Sequence, residues 1–549
     1  MLLRTMLLAG AAATLGAMPA SFANTIGSGN VAVIEPNVSH PNATPCVVPL
    51  VSNVQFTNFT PYSYSYTPPA GCPAPWSKVI LKMHLSLNAG VQFDRSGLLF
   101  MDGVPLWFGT TAEPDSNLAP NWRFEKDVTD DTALFESAQS GELNIGNLVN
   151  STYTGIITAS AELDFYPVTK GWPAPVTADI VLPLPGTGNG TTLNPGQAMT
   201  LTTNFPTNVV KADLDLYLQG QSGDEFWYTC VPNSYTSELQ SCGGGSVREG
   251  EVSVDNQPAG VSPIFPWIFT GGIDPLLWQP IPGVQTLDFI PYTVDLSPFA
   301  GELSNGQPHT ISVSVFGNNG YFQTNGALRL FLDHGTTQVT GGITEDTLRA
   351  TPNVITTPNL TVNGSNVTGT LTMADRRNYT IAGTITGSAG TTTYTVSQTS
   401  RFRNKQRFNI TASDYVQNID QATSIAETST ATSPSGTSST TFTGNWPLTV
   451  DINFKPTPAG NYLQTTTIGQ NYLTSGQTLL NGNLVTQFTL NNTTNSTDKL
   501  KISGAGYITG NANQSETANY LYATPTSCFA QSLAASANLL TADTTGCTP

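Results

Sequence analysis

Alternation with a period of two runs through this chain, and the spacing of an amphipathic helix is nearly absent. In residues 213–218, Leu214, Leu216 and Leu218 point one way and Asp213, Asp215 and Tyr217 the other. Residues 310–316 repeat the pattern through Ile311, Val313 and Val315, and residues 449–454 through Val450, Ile452 and Phe454. Residues 78–87 are apolar enough for a central strand, and 159–166 also read as a strand. Asp102-Gly103 separates two apolar arms within 98–108, the signature of a tight hairpin. Many short strands punctuated by Gly, Pro and Asn predict an all-β chain built from β-sandwiches or jelly rolls.

Residues 169–175 (TKGWPAP) read as a linker, and a second boundary falls near 335–352. These divide the chain into 24–168, 176–340 and a C-terminal β-rich domain, 345–549, dominated by Thr, Ser, Asn and Gly. Seven of the eight Trp precede residue 340 and only Trp446 follows, so a ligand-facing Trp is expected in the first two domains. The Ser/Thr-rich stretch 423–444 reads as a long exposed hairpin or a flexible loop.

Residues 1–23 have the form of a signal peptide. Arg4 supplies a positive start, 7–15 an apolar core, and Ser21-Phe22-Ala23 a small-residue cleavage site. Cleavage near Ala23 predicts a secreted or periplasmic protein. The six cysteines fall into three neighbouring pairs, Cys46 and Cys72, Cys230 and Cys242, Cys528 and Cys547. Fifteen connectivities are possible, and proximity favours the neighbours. A zinc site is the weaker alternative, since no CxxC occurs and the four His are scattered.

The charge balance excludes other classes. Twenty Lys and Arg against 37 Asp and Glu give a net charge of −17, which repels nucleic acid. The many aromatics (24 Phe, 18 Tyr, 8 Trp) exclude wholesale disorder. After the N-terminus no apolar run is long enough to span a bilayer. Dinucleotide, P-loop and GxSxG motifs are absent, which leaves carboxylates as the best catalysts. Asp94, between Phe93 and Arg95, sits just before an expected strand. Asp224-Glu225 follows a strand end and precedes Phe226, Trp227 and Tyr228. Aromatic faces beside a carboxylate suit a sugar, and paired carboxylates suit hydrolysis of a glycosidic or an amide bond.

Several stretches, in this order, resemble the plant-type peptide-N-glycosidase A family. They include Cys72-Pro73-Ala74-Pro75-Trp76, Gln92-Phe93-Asp94-Arg95, Thr111-Ala112-Glu113-Pro114, Phe124-Glu125-Lys126-Asp127 and Ile145-Gly146-Asn147-Leu148. Asp224-Glu225-Phe226-Trp227-Tyr228, Val247-Arg248-Glu249 and the stretch from Phe269-Thr270-Gly271-Gly272 to Trp278 continue the match. The short leader and low charge resemble a bacterial member. Flavobacterial peptide-N-glycosidase F is a more distant likeness.

The resemblance implies two adjacent jelly rolls. It also implies hydrolysis of the amide between an N-glycan's innermost N-acetylglucosamine and asparagine, at acidic pH and with tolerance of core α1,3-fucose. N-glycoproteins and N-glycopeptides are then the substrates of a monomeric enzyme needing no metal or other cofactor. It implies Asp94 and Glu225 as catalytic residues, Asp94 acting on water and Glu225 on the sugar or the leaving nitrogen. Asp224 stands beside Glu225 among the substrate contacts. Arg95 and Arg248 are candidate oxyanion donors, and Trp122, Trp227 and Trp278 candidate sugar platforms. The flavobacterial enzyme has a further essential Glu near the position of residues 146–150, where this chain has no carboxylate. Asn147 or Asn150 then binds sugar, or the third role is lost. Two other readings stand beside this one: an endo-acting glycoside hydrolase and a non-catalytic glycan-binding β-protein.

Overall fold

A computed structural model describes residues 24–33, 38–113, 116–185, 190–269, 272–273, 280–281, 284–457, 461–503, 506–525 and 527–547. The expected leader, residues 1–23, lies outside the described residues. The chain is all-β: among the described residues the α-helices are single turns such as Thr132–Phe135. No helix among them is long and apolar enough to cross a membrane.

Two four-stranded antiparallel sheets form a first sandwich. One runs Cys46–Phe56, Ile157–Pro167, Trp76–Leu87, Asn121–Asp127; the other Tyr62–Tyr66, Gln139–Ile145, Ser96–Met101, Val104–Thr110. Val79, Leu81, Met83 and Leu85 alternate inward along Trp76–Leu87, while Lys78, Lys82 and His84 stay partly exposed. The Asp102-Gly103 hairpin forms as the dipeptide predicts. Both residues take left-handed backbone angles (φ 48° and 79°), which match the twist of the flanking strands.

A second sandwich pairs two more antiparallel sheets. One is Thr191–Leu193, Tyr321–Leu332, Val209–Gln221, Tyr292–Asp295, with Ile180–Leu184 also on Tyr321–Leu332. Its mate is Ala198–Asn204, Pro308–Phe316, Glu249–Val254, Gln257–Pro263.

The sandwiches share a built junction. Every residue of Val104–Thr110 is buried, although a strand with one solvated face would alternate. The second face is covered by residues 284–290: Trp107 Nε1 donates to Leu287 O (3.0 Å), and Phe289 N donates to Phe108 O (2.8 Å). Leu98, Phe100 and Phe108 pack with Tyr217, Phe269 and Phe289 in one apolar cluster. Lys126 reaches across to Tyr217 Oη (2.8 Å) and Asp288 (3.2 Å). Arg329 ties Asp131 (2.7 Å) to Asp215 (2.6 Å). Partners of opposite charge let these ions lie at a dry junction.

Beyond it an eleven-stranded antiparallel sheet runs from Thr340–Asp346 to Leu539–Thr545, with strands as long as the 22 residues of Asn366–Gly387. The Ser/Thr-rich stretch falls in one long hairpin, Tyr415–Ser433 with Gly436–Pro456. One face of the sheet lies on the second sandwich, and Tyr379, Ile381, Ile419, Leu448 and Val450 join its core. The same face carries rows of buried amides, which satisfy loop carbonyls that the sheet cuts off from water. Asn404 donates to Tyr228 O (2.8 Å), Gln406 to Cys230 O (2.9 Å), Gln417 to Thr229 O (2.8 Å) and Gln470 to Pro266 O (2.6 Å). The Gln/Asn/Thr-rich composition of this region thus serves an interface. Arg377 adds a buried ion pair with Glu249 of the second sandwich (2.5 Å). The cysteines are bridged as neighbours, Cys46–Cys72, Cys230–Cys242 and Cys528–Cys547, with Cα separations of 6.3, 4.6 and 5.8 Å.

Candidate active site

The loop before Ser96–Met101 is stitched to residues 147–155 from behind. Gln92 is buried; its Nε2 donates to Asn147 Oδ1 and to Gly155 O (3.1 Å). Its Oε1 accepts from the Phe93 N–H (3.0 Å) and from Arg95 Nη2 (3.0 Å). Thr154 and Gly155 donate to Val91 O (2.9 and 3.0 Å). The loop is therefore fixed on both sides of Asp94, which stands half-buried beside Arg95.

Hairpin register supplies the next group. Ser96 pairs with Thr110, and the ladder continues outward: Arg95 N donates to Thr111 Oγ1 (2.9 Å) and Thr111 N to Arg95 O (2.8 Å). One step further, Glu113 comes beside Asp94 and its carboxylate accepts the Asp94 backbone N–H.

Glu225 arrives from the other sandwich. Val209–Gln221 ends in the 3₁₀ turn Ser222–Asp224, locked by Asp224. Asp224 is fully buried, accepts the N–H groups of Asn319 (2.8 Å) and Gly320 (2.6 Å), and pairs with Arg248 (Nε 2.7 Å, Nη2 2.5 Å). Glycine is required at 320: a Cβ there would meet Gly223 N at 2.8 Å. The turn leaves Glu225 half-buried and close enough to Asp94 for the two carboxylates to repel.

Three carboxyls from two sandwiches thus share one electrostatic neighbourhood. Burial, then the charge of Glu225, pushes Asp94 up to about 7, against the pull of Arg95. Burial, then the charge of Asp94, pushes Glu113 up to about 8, opposed by the Asp94 N–H and Arg95. Burial also raises Glu225. Such a set can hold a neutral acid and a carboxylate side by side, which acid–base hydrolysis needs. Arg95 Nε is buried with no hydrogen-bond partner, and the guanidinium lies 5.9 Å from the Tyr153 ring centroid. Phe93, 38 % exposed, meets the same ring edge-on at 5.3 Å.

Other expected site residues sit elsewhere or do other work. Asn147 is wholly buried, with its Nδ2 donating to Phe56 O (2.7 Å) and Gly155 O (3.2 Å); it supports Gln92 from behind. Asn150 caps its own turn through the N–H groups of Thr152 (2.8 Å) and Tyr153 (2.9 Å). Arg248 is spent on Asp224 and on the carbonyls of Val247 (2.9 Å) and Gly245 (3.0 Å), so its oxyanion role gives way to a positioning one. The same holds for Asp224 as a substrate contact. Trp122 and Trp227 are 3 % and 2 % exposed in the two sandwich cores, so packing replaces the reading of them as sugar platforms. Trp278 lies outside the described residues.

Sequence reasoning alone does not single out Glu113 as a neighbour of Asp94, or the contact of Phe93 with Tyr153. The signal for Glu113 was present, since the Asp102-Gly103 turn fixes the register that carries 111–113 to 94. Among the described residues no group of three or more His, Cys, Asp or Glu is arranged to hold a metal ion.

Part of this chain is similar in sequence to known proteins. The family model for peptide N-acetyl-β-D-glucosaminyl asparaginase amidase A matches residues 36–347. Peptide-N4-(N-acetyl-β-glucosaminyl)asparagine amidase A of Prunus dulcis is 30 % identical over 315 residues, 52 % of this chain and 53 % of that protein. The chain therefore spans about half the length of the curated relative it matches. Among solved structures, PNGF-II aligns over 53 % of this chain and 66 % of its own, at 15 % identity and a TM-score of 0.38. A peptide-N(4)-(N-acetyl-β-D-glucosaminyl) asparagine amidase aligns over 52 % and 96 %, at 12 % identity and a TM-score of 0.34.

Proposed function

The chain belongs to the peptide N-acetyl-β-D-glucosaminyl asparaginase amidase A family, and from that premise we propose that it is a peptide-N-glycosidase. It cleaves the amide between the innermost N-acetylglucosamine of an N-glycan and asparagine, leaving aspartate in the peptide and a glycosylamine. The observation that carries this reading is the meeting of Asp94, Glu113 and Glu225 at the junction of two sandwiches. Secretion after leader removal suits its three disulfides, and a monomer working on N-glycoproteins and N-glycopeptides completes the reading.

Asp94 takes a proton from water as its oxygen attacks the amide carbon. Glu113, kept neutral by burial and by Asp94, gives its proton to the departing nitrogen. Adjacency of the two carboxyls lets the proton return from Asp94 to Glu113 after each turnover. Arg95, beside Asp94, lends its positive charge to the developing oxyanion. Glu225 anchors the first sugar from the opposite wall, and Phe93 offers its exposed face to the ring.

Incubating the purified chain with an N-glycopeptide tests the reading by mass spectrometry. A bare peptide with aspartate at the former glycosylation site is expected. A peptide retaining one N-acetylglucosamine moves the chemistry to the glycosidic bond, and an untouched glycopeptide leaves a binding protein.

The pH profile tests the roles. An ionised Asp94 and a neutral Glu113 predict kcat/KM rising towards about 7 and falling above about 8. Glu113→Gln should lower the rate about 10²-fold or more, as loss of a general acid does. An optimum well on the acid side, as the family resemblance implies, would transfer the base to Glu225 and leave Asp94 as a proton donor. Parallel assays of glycopeptides with and without core α1,3-fucose test the implied tolerance.

A further inference from the structure

A hollow of about 500 Å³ opens where the disulfide loop after Glu225 meets the long C-terminal sheet. That size lies within the range of small-molecule sites. Thr229, Gln240 and Ser241 line it from the loop; Tyr415, Phe454 and Tyr462 line it from the sheet. Its lining contains no Asp, Glu, Lys, Arg or His. With no charged side chain in its lining, the hollow offers no ion-pair partner to a charged ligand and suits an uncharged one. Rings beside hydroxyls and an amide match a sugar, which offers C–H groups on its faces and hydroxyls at its edge. Tyr462 is 51 % exposed, and the Tyr415 and Phe454 rings lie 6.2 Å apart.

The loop wall is tied to itself and to the sheet. Cys230–Cys242 closes the loop, Ser241 Oγ donates to Thr229 O (3.0 Å), and Gln417 of the sheet donates to the same carbonyl (2.8 Å). Thr229 follows Glu225 by four residues, so their Cα atoms are at most roughly 14 Å apart. An oligosaccharide whose innermost ring sits at Glu225 can reach the hollow with its outer rings.

We propose that this hollow is a subsite for the neutral outer sugars of the glycan. The proposal rests on the amidase reading for its place in the reaction and gives the C-terminal sheet a part in substrate selection. The direct test titrates a peptide-free, neutral high-mannose oligosaccharide onto the full chain, observed by saturation-transfer NMR and calorimetry. Tyr462→Ala and Tyr415→Ala should weaken binding about tenfold, with saturation lost from the outer sugars first. In turnover the same variants should raise KM about tenfold for a glycopeptide with the full glycan. A glycopeptide trimmed to its core sugars should show no such rise.

Unchanged oligosaccharide affinity in both variants would overturn the proposal. An equal rise in KM for full and trimmed glycopeptides would also overturn it, because the hollow would then hold peptide or merely support the loop. Oligosaccharide binding that depends on Tyr462 in a chain that releases no aspartyl peptide would keep the subsite and remove the amidase, so the two readings fail separately.

Discussion

Asp94→Asn folds and loses turnover by a factor of about 10²–10⁴ or more, the range of a lost general base. The substitution preserves size and leaves the loop's supports intact. Gln92, Thr111 and Val91 hold that loop through main chain and through the Arg95 side chain, and none of those bonds uses the Asp94 carboxyl. Stability moves the other way. Asp94 is raised from 3.8 to about 7, so between those values the folded chain binds more protons than the unfolded one. Its carboxyl is therefore neutral in stability below about pH 4 and destabilising in growing measure up to about 7, with the full deficit above that. Asp94→Asn should melt with the parent below pH 4 and above it beyond pH 7. Loss of rate together with gain in stability is the mark of a site held against its own folding preference. Full activity in this variant would remove Asp94 from the chemistry; lost activity with a lowered melting temperature at neutral pH would make it structural.

Much of this architecture was legible in the chain. An apolar run marked residues 78–87, which fall in the strand Trp76–Leu87, and period-two alternation marked 310–316, which fall in Pro308–Phe316, where one face is buried and the other is less so. The Asp102-Gly103 turn was legible for a local reason, since both residues tolerate left-handed angles. Asp94 and Glu225 stood out as acids at strand ends. What the chain concealed was tertiary. Asp224 and Glu225 look alike in sequence, yet one is sealed in an ion pair with Arg248 and the other stays half-buried near Asp94. Trp122 and Trp227 offer the same indole a sugar platform would, and only packing shows that both faces are occupied. The Thr- and Gln-rich tail carried an apolar signature for only part of its inner face, as at Val450 and Ile452, and amides make up much of the rest. That face meets loop carbonyls, and amides satisfy carbonyls where leucines would leave them unbonded.

The buried pair that holds Glu225 should show the largest loss of stability. Arg248→Met keeps much of the side-chain volume and removes the charge, which strands Asp224 in a site where both partners are fully buried. Breaking a buried pair from one side costs about 3–5 kcal/mol, mostly the penalty for the uncompensated ion. For a cooperative unit the size of the second sandwich this corresponds to a melting temperature lowered by about 10 °C. Asp224→Asn should cost less. An amide oxygen still accepts the N–H groups of Asn319 and Gly320, and Arg248 keeps the carbonyls of Val247 and Gly245. The double variant should then recover part of what Arg248→Met loses, since no stranded carboxylate remains. Activity follows the same order for a geometric reason. Asp224 fixes the turn that aims Glu225, and a displacement of about 1 Å in a positioned group costs roughly 10²-fold in rate. Thermal melts and glycopeptide kinetics on the three variants, run below the lowest transition, check both effects. Arg248→Met as stable as the parent, or a double variant no better than Arg248→Met, would show that the pair does not hold this turn.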